Sequence, residues 1–257
     1  MTNILIKSEN IRKSYKINKK ETVRAIDGFN LEIRNSEIMG LLGASGSGKT
    51  TLARILTGLE TADAGKIFFE NAELTSLAPV KRRKFCRDIQ MIFQDPFSSM
   101  SPRLRVCDIV AEPLRIQKYP KPYTEMVSNM LRQAGISEDF LQKYPFELSG
   151  GEKQRVAVAR TFILKPKFVV ADEIVSMLDS THKLEILDLI LKLRNETGLS
   201  VLFITHDIAV AGYVCDRIAV MENGRIVEVG ETDRILRCPE DPYTIELIEA
   251  VPRFIST

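Results

Sequence analysis

The chain has 257 residues, with 36 Lys and Arg against 34 Asp and Glu, a formal net charge of +2. At 44% apolar and 27% charged, it has enough apolar surface to offset chain entropy, and it lacks the basic excess of a nucleic-acid binder that works by bulk electrostatics. The longest apolar run, Ile208 to Cys215, falls far short of the ~20 residues of a membrane helix, and Met1 to Lys7 is too short and too weakly basic for a secretory signal, so a cytoplasmic protein is expected.

The first third reads as strands. Lys16 to Arg24, with Lys16, Lys19, Lys20 and Arg24, reads as a solvated hairpin loop. Phe29, Leu31 and Ile33 then alternate with Asn30, Glu32 and Arg34, the period of a half-buried strand. Ile38-Met39-Gly40-Leu41-Leu42 is a continuous apolar run, as in a strand buried on both faces. Further such runs are Ile89 to Phe93, Phe168 to Ala171, Val201 to Ile204 and Ile218 to Met221. Leu184, Leu187 and Leu191 share a helical face between two of them. Alternating strands and helices predict an α/β fold with a mostly parallel sheet covered on both faces.

From about 95 to 164 no strong strand is found, and six prolines punctuate the stretch. Val127, Met130, Leu131 and Ala134 have i, i+3, i+4, i+7 spacing, so this region reads as a helical insertion. Cys86, Cys107, Cys215 and Cys238 are scattered, without a Cys-x-x-Cys pair, and are expected to be free thiols. With only His182 and His206 besides, neither a zinc site nor an iron–sulfur cluster is expected.

Three segments carry chemistry. Gly43-Ala44-Ser45-Gly46-Ser47-Gly48-Lys49-Thr50 fits G-x-x-x-x-G-K-[ST], between a buried strand and the helix-like Leu52 to Leu56. A chance match in a chain this long has odds on the order of 1%, and the strand–helix setting lowers them. Such a loop turns backbone N–H groups onto phosphate oxygens at a helix N-terminus. Lys49 then reaches the β- and γ-phosphates, and the Thr50 hydroxyl can ligate Mg²⁺. Phe168 to Ala171 ends in Asp172 and Glu173. Alone, that would be a solvated strand end. Beside a phosphate loop, Asp172 can hold Mg²⁺ and Glu173 can polarise an attacking water. Leu148-Ser149-Gly150-Gly151-Glu152 opens another helix, with Ser149 and Glu152 in an S-x-x-E capping box.

Together these segments resemble the ATP-binding-cassette (ABC) ATPases, over essentially the whole chain. Leu148 to Glu152 matches the signature Leu-Ser-Gly-Gly-Gln. Gln94 matches the Q-loop, and Ser176-Met177-Leu178-Asp179 the D-loop. His206 matches the switch histidine, and Tyr15 the aromatic that stacks on adenine. The resemblance implies one ABC domain over 1–257, with an N-terminal antiparallel β-subdomain, a helical subdomain at about 95–164 and a short tail at about 238–257. It implies ATP and Mg²⁺ bound by Tyr15, Gly43, Ser45, Gly46, Gly48, Lys49, Thr50 and Thr51, with Thr50, Gln94 and Asp172 on the metal. Glu173, His206 and Gln94 would serve catalysis. It also implies a head-to-tail dimer in which Ser149, Gly150, Gly151 and Glu152 of one subunit face the ATP of the other, with Asp179 in the D-loop. Glu152 stands where Gln is usual, and a carboxylate there opposes the docking of a γ-phosphate. Ile174 and Met177 replace a common Pro and Ala.

Finer detail resembles the peptide/nickel importer ATPases. The resembling segments are Phe93 to Arg103, Asp108 to Leu114, Thr205-His206-Asp207 and Pro239 to Thr244, the last with Asp241 in place of His. The Cys-rich segment of many peptide-importer ATPases is not found in the residues up to Thr257. The resemblance implies a peripheral subunit on the cytoplasmic face of the cell membrane. It would power uptake of peptides, nickel or a metal chelate. Its partners would be a second ATPase, identical or related, two separate permease subunits and, indirectly, an extracellular solute-binding protein, with no nucleic acid. A permease helix would dock around Gln94 to Leu104 and the helices up to Tyr144. The alternative is a single-cassette ATPase of a soluble complex, of the iron–sulfur assembly or phosphonate breakdown type. Long coiled-coil heptads are absent, which argues against chromosome maintenance. Asn18-Lys19-Lys20-Glu21 precedes the phosphate loop, which argues against a GTPase.

Overall fold

The alternating side chains Phe29, Leu31 and Ile33 are buried, as their period requires, in a strand that runs from Thr22 to Arg34. The computed structural model describes residues 3–16, 22–95 and 100–250. The chain divides into two compact units, Met1–Lys84 with Ser200–Thr257, and Phe85–Leu199. Elements are numbered along the chain.

The first unit holds two groups of strands. β1 (Ile4–Lys16) pairs antiparallel with β2 (Thr22–Arg34) and with β4 (Ala64–Phe69), and β4 pairs antiparallel with β5 (Ala72–Glu73). The long β1–β2 ribbon shifts register around Asn10, where the Asn10 N–H donates to the Asn30 side chain at 2.8 Å. The second group is built on β3 (Ile38–Leu42), all five residues of which are buried. β3 pairs parallel with β8 (Ser200–Ile204) and with β9 (Arg217–Glu222), and β9 pairs antiparallel with β10 (Arg225–Glu231). An apolar strand flanked on both edges and covered on both faces must be parallel-sheet core. The unit also carries helix α1 (Lys49–Leu56), the single turn α2 (Pro79–Arg82) and α7 (Ile208–Val214). Helices α8 (Thr232–Arg237) and α9 (Pro242–Glu249) follow β10.

The hairpin expected over Lys16 to Arg24 is shorter than its charge suggested. Strand β1 includes Lys16 and β2 starts at Thr22, because ladder pairing of Lys16 with Thr22 overrides the polar composition. Residues 17–21 lie outside the described residues.

The second unit contains β6 (Ile89–Ile92) paired parallel with β7 (Phe168–Asp172). It also contains helices α3 (Val106–Ile116), α4 (Thr124–Gln133), α5 (Gly150–Phe162) and α6 (Ser180–Thr197). Strand β7 is wholly buried, but β6 is buried only at Ile89 and Ile92 and not through its whole apolar run. Val127, Met130, Leu131 and Ala134 are all buried, so α4 turns the expected face inward. Helix α6 does not. Ile186, Leu187, Leu189, Ile190 and Leu193 face inward, while Leu184 is 51% exposed and Leu191 only half-buried. Two overlapping apolar ladders compete in that helix. The one through Ile186, Ile190 and Leu193 wins because it adds Leu187 and Leu189 to the same face.

One buried carboxylate fixes the tail. Glu228 on β10 accepts the backbone N–H groups of Glu240 and Asp241, both at 3.1 Å, and pairs with Arg234 of α8 at 3.1 Å. Burial pushes its carboxyl up, but the N–H groups of Asp241 and Glu240, the Thr244 side chain and the Arg234 charge together hold it below the ordinary glutamate value. Asp241 in turn caps α9, accepting from the N–H groups of Tyr243 (2.9 Å) and Thr244 (3.3 Å). A carboxyl with a depressed pKa stabilises the fold above its unfolded value and loses that effect as pH falls through its folded value. Glu228→Gln is therefore expected to lower stability by about 2 kcal/mol at pH 7. Thermal melts across pH should find the difference vanishing in acid, below the usual glutamate range.

Candidate functional site

Leaving the buried strand β3, the chain turns through Gly43 to Gly48 into α1. Gly48 takes a left-handed φ of 105°, and a Cβ there would sit 2.3 Å from the Ala25 carbonyl oxygen, so only glycine fits. It gives α1 no side-chain cap. The opening N–H groups of a helix have no acceptor within it, which suits an anion. Lys49 follows and is only 6% exposed. A buried ammonium must be surrounded by oxygens. Its Nζ donates to the carbonyls of Gly43 and Ala44, each at 2.8 Å, and to Ser47 Oγ at 3.4 Å. The Ser47 carbonyl accepts from the Gly224 N–H at 3.0 Å, which fastens the loop to the β9–β10 turn. Ser45, Gly46 and Thr50 are exposed and Thr51 half-buried.

Tyr15, near the end of β1, is held from the loop that follows α1. Its hydroxyl donates to Glu60 at 2.5 Å, and Lys13 Nζ lies 5.4 Å from its ring centroid. Lys13 also meets Glu60 and Asp63, each at 3.3 Å. His206 is exposed on the turn between β8 and α7. That turn is fixed by Asp207, whose N–H donates to Thr205 Oγ1 (3.0 Å) and whose side chain caps α7 at Val210 (3.2 Å).

In the second unit the parallel register decides what meets. Ile92 pairs with Ala171, so Gln94 and Glu173 each stand two residues past the pair, at the same strand end. Gln94 Nε2 donates to Glu173 Oε2 at 3.0 Å. Asp172, the last residue of β7, is 2% exposed. Glu173 has a φ of +49°, in the left-handed region. Its carbonyl accepts from the Ser176 N–H (3.1 Å) and Ser176 Oγ (2.8 Å), which hold that turn. A carboxylate and an amide that donates to it are thus brought together from two adjacent strand ends.

The capping box read from Ser149 and Glu152 is present. Ser149 Oγ accepts the Glu152 N–H at 3.3 Å, and the Ser149 N–H donates to Glu152 Oε2 at 2.7 Å. Glu152 is therefore folded back on its own helix start. Asp179 caps α6, accepting the N–H groups of Thr181 and His182 at 3.1 Å. Those N–H groups, His182 first, hold its carboxyl below the ordinary aspartate value. His182 Nδ1 lies 2.7 Å from Asp179 Oδ2, and its ring covers Gly151, where a Cβ would come within 2.5 Å of Cδ2. His182 thus joins Asp179 to the Ser149–Gly151 segment.

Lys13, Glu60 and His182 escaped the sequence reading. None lies in a motif, and only the fold brings each beside a residue that does. A pocket of about 270 Å³ opens within the second unit, lined among others by Gln90, Phe93, Pro113, Ile116, Ala157 and Arg160. Ile116 there is 69% exposed. Arg160 ties α5 to Glu112 of α3 at 2.7 Å. The groove expected at Gln94 to Leu104 and the helices up to Tyr144 shares only α3 with this pocket, and residues 96–99 lie outside the described residues.

A family sequence profile described as ABC transporter matches residues 26–176. An oligopeptide transport ATP-binding protein, OppF, of Streptococcus mutans is 40% identical over 251 residues, 96% of this chain and 82% of that protein. OppF of Escherichia coli is 41% identical over 236 residues, 90% of this chain and 70% of that protein. Among solved structures, a dimeric post-hydrolysis state of the ATP-binding cassette MJ0796, bound to ADP and Pi, matches with a TM-score of 0.82 and 30% identity. The match covers 89% of this chain and 99% of that one.

The capping role of Glu152 can be measured by substitution. Glu152→Gln keeps an acceptor for the Ser149 N–H and should melt within about 0.5 kcal/mol of wild type, whereas Glu152→Ala removes it and should cost about 1 kcal/mol. Denaturant titrations of the two variants measure the difference.

Proposed function

The chain belongs to the ABC transporter family and is an ATPase, and from that premise we propose that it is the motor subunit of a peptide importer, at the cytoplasmic face of the membrane. The observation that carries the chemistry is Lys49, buried at the start of α1 with its ammonium gathered by the loop that precedes it. The cargo is inferred from the relatives, which are named for oligopeptide transport over nearly the full length of this chain. That likeness favours an importer over a soluble single-cassette complex, and peptide over nickel. No helix among the described residues is long and apolar enough to cross a membrane. Separate permease subunits would therefore provide the path. We place their contact at the pocket between β6, α3 and α5, where exposed Ile116 and Phe93 offer apolar area.

In this reading Lys49 and the loop N–H groups, with Gly43, Ser45, Gly46, Gly48, Thr50 and Thr51, bind the phosphates, and Tyr15 stacks on adenine. Glu60 and Lys13 hold the Tyr15 ring at its angle. Glu173 takes a proton from the attacking water. The amide of Gln94 donates to that carboxylate and so keeps it oriented as an acceptor. His206 acts beside the reacting phosphate. The Thr50 hydroxyl, the Gln94 amide oxygen and the Asp172 carboxylate are hard oxygen donors of the kind Mg²⁺ takes, and these three would hold the ion. When bound, Mg²⁺ neutralises charge on the phosphates. A second ATPase subunit completes the site, its Ser149, Gly150 and Gly151 presenting a helix N-terminus to the γ-phosphate, with Asp179 at the subunit contact. In that dimer Glu152 brings negative charge to the same helix start.

Glu173→Gln should bind ATP, accumulate as a dimer and hydrolyse at least about 100-fold more slowly. Turnover at the wild-type rate would remove Glu173 as the base. Lys49→Ala should fail to bind ATP in an equilibrium titration. Glu152→Gln should bind ATP more tightly and dimerise at lower ATP concentration, read by size-exclusion chromatography. Equal affinity and equal turnover would dismiss a role for the charge.

A further inference from the structure

The tail reaches back to the phosphate loop. The Ala44 N–H donates to the Tyr243 hydroxyl oxygen at 2.9 Å, across 199 residues of sequence. That N–H belongs to the same peptide group as the Gly43 carbonyl, which accepts from Lys49 Nζ at 2.8 Å. A trans peptide is planar, with its N–H and C=O on opposite edges. Tyr243 and Lys49 therefore grip one plate from its two sides. Turning the plate to suit one partner spoils the bond to the other. The next carbonyl, of Ala44, is the second oxygen on Lys49.

Tyr243 is itself firmly placed. It is the second residue of α9, and its own N–H is bonded to the capping Asp241 at 2.9 Å. The N–H groups of Glu240 and Asp241, just ahead, are fixed on the buried Glu228. Thr244, just after, is fully buried. The hydroxyl thus comes from an anchored turn of β10 and α9 rather than from a loose terminus.

We propose that Tyr243 is a positioning residue of the ATP site, acting through the Gly43–Ala44 peptide to hold the Lys49 ammonium where it meets the phosphates. The proposal rests on the reading of Lys49 as the phosphate-binding lysine. It gives the tail a task in nucleotide affinity. The hydroxyl touches no substrate, so its loss weakens binding and leaves the chemical step intact.

Tyr243→Phe removes the hydroxyl alone and keeps the ring. The test is equilibrium titration with ATP, steady-state ATPase kinetics and a thermal melt on the full chain, with wild type and Lys49→Ala alongside. The expected result is a rise of about three- to tenfold in Kd and KM for ATP, the worth of one neutral hydrogen bond. At saturating ATP, kcat should stay within about twofold, and the melting temperature should fall by no more than about 4 °C, the worth of the same bond to the fold. Unchanged Kd and KM in Tyr243→Phe, with binding lost in Lys49→Ala, overturn the tether alone. A larger drop in melting temperature with a matching fall in kcat also overturns it, because Tyr243 would then be general packing. Wild-type ATP binding by Lys49→Ala overturns the lysine reading itself, and the tether with it.

Discussion

The structure of the first unit follows from one requirement, that a buried ammonium be given oxygens. At 6% exposure the Lys49 ammonium needs oxygens around it, and the backbone turns carbonyls inward to supply them. Gly43 and Ala44 do this, and the loop between β3 and α1 takes its shape around them. The rest of the unit serves that turn. β3 is buried on both faces and so delivers Gly43 to a fixed point, while Ala25 crowds Gly48 until no side chain can stand there. The β9–β10 turn holds Ser47 through Gly224. The same carbonyl oxygens that solvate the ammonium also aim it, so the direction of Lys49 is a property of the backbone as much as of the side chain.

In the second unit the organising constraint is register. Parallel pairing of Ile92 with Ala171 brings Gln94 and Glu173 to one strand end and within a hydrogen bond of each other. Helix starts supply the other elements. Ser149 and Asp179 are N-caps by local chemistry, each at the start of its helix. His182 lies between them, bonded to one cap and packed on the glycine after the other.

Much of this was legible in the residues. The glycine-rich turn before α1, the two carboxylates at the end of β7 and the capping box depend on local patterns, and β3, β7 and α4 follow hydrophobic patterning alone. Other features depend on distance in sequence. Tyr15 belongs to a motif, but Glu60, which orients it, carries no signal of its own. Leu184 misled because α6 has two competing apolar ladders and only tertiary packing selects one. The polar run after Lys16 masked ladder pairing for the same reason, since a strand edge tolerates charge that an isolated peptide would expose.

The backbone of Glu173 carries strain at the end of β7. Its φ of +49° is a conformation that glycine adopts freely and a glutamate only against steric resistance. Such a residue costs of order 1–3 kcal/mol, which the rest of the fold must offset. A chain selected for thermostability alone would place Gly or Asn at position 173. The glutamate there gives up robustness to keep a carboxylate beside Gln94, and directed evolution for heat resistance alone would replace it early.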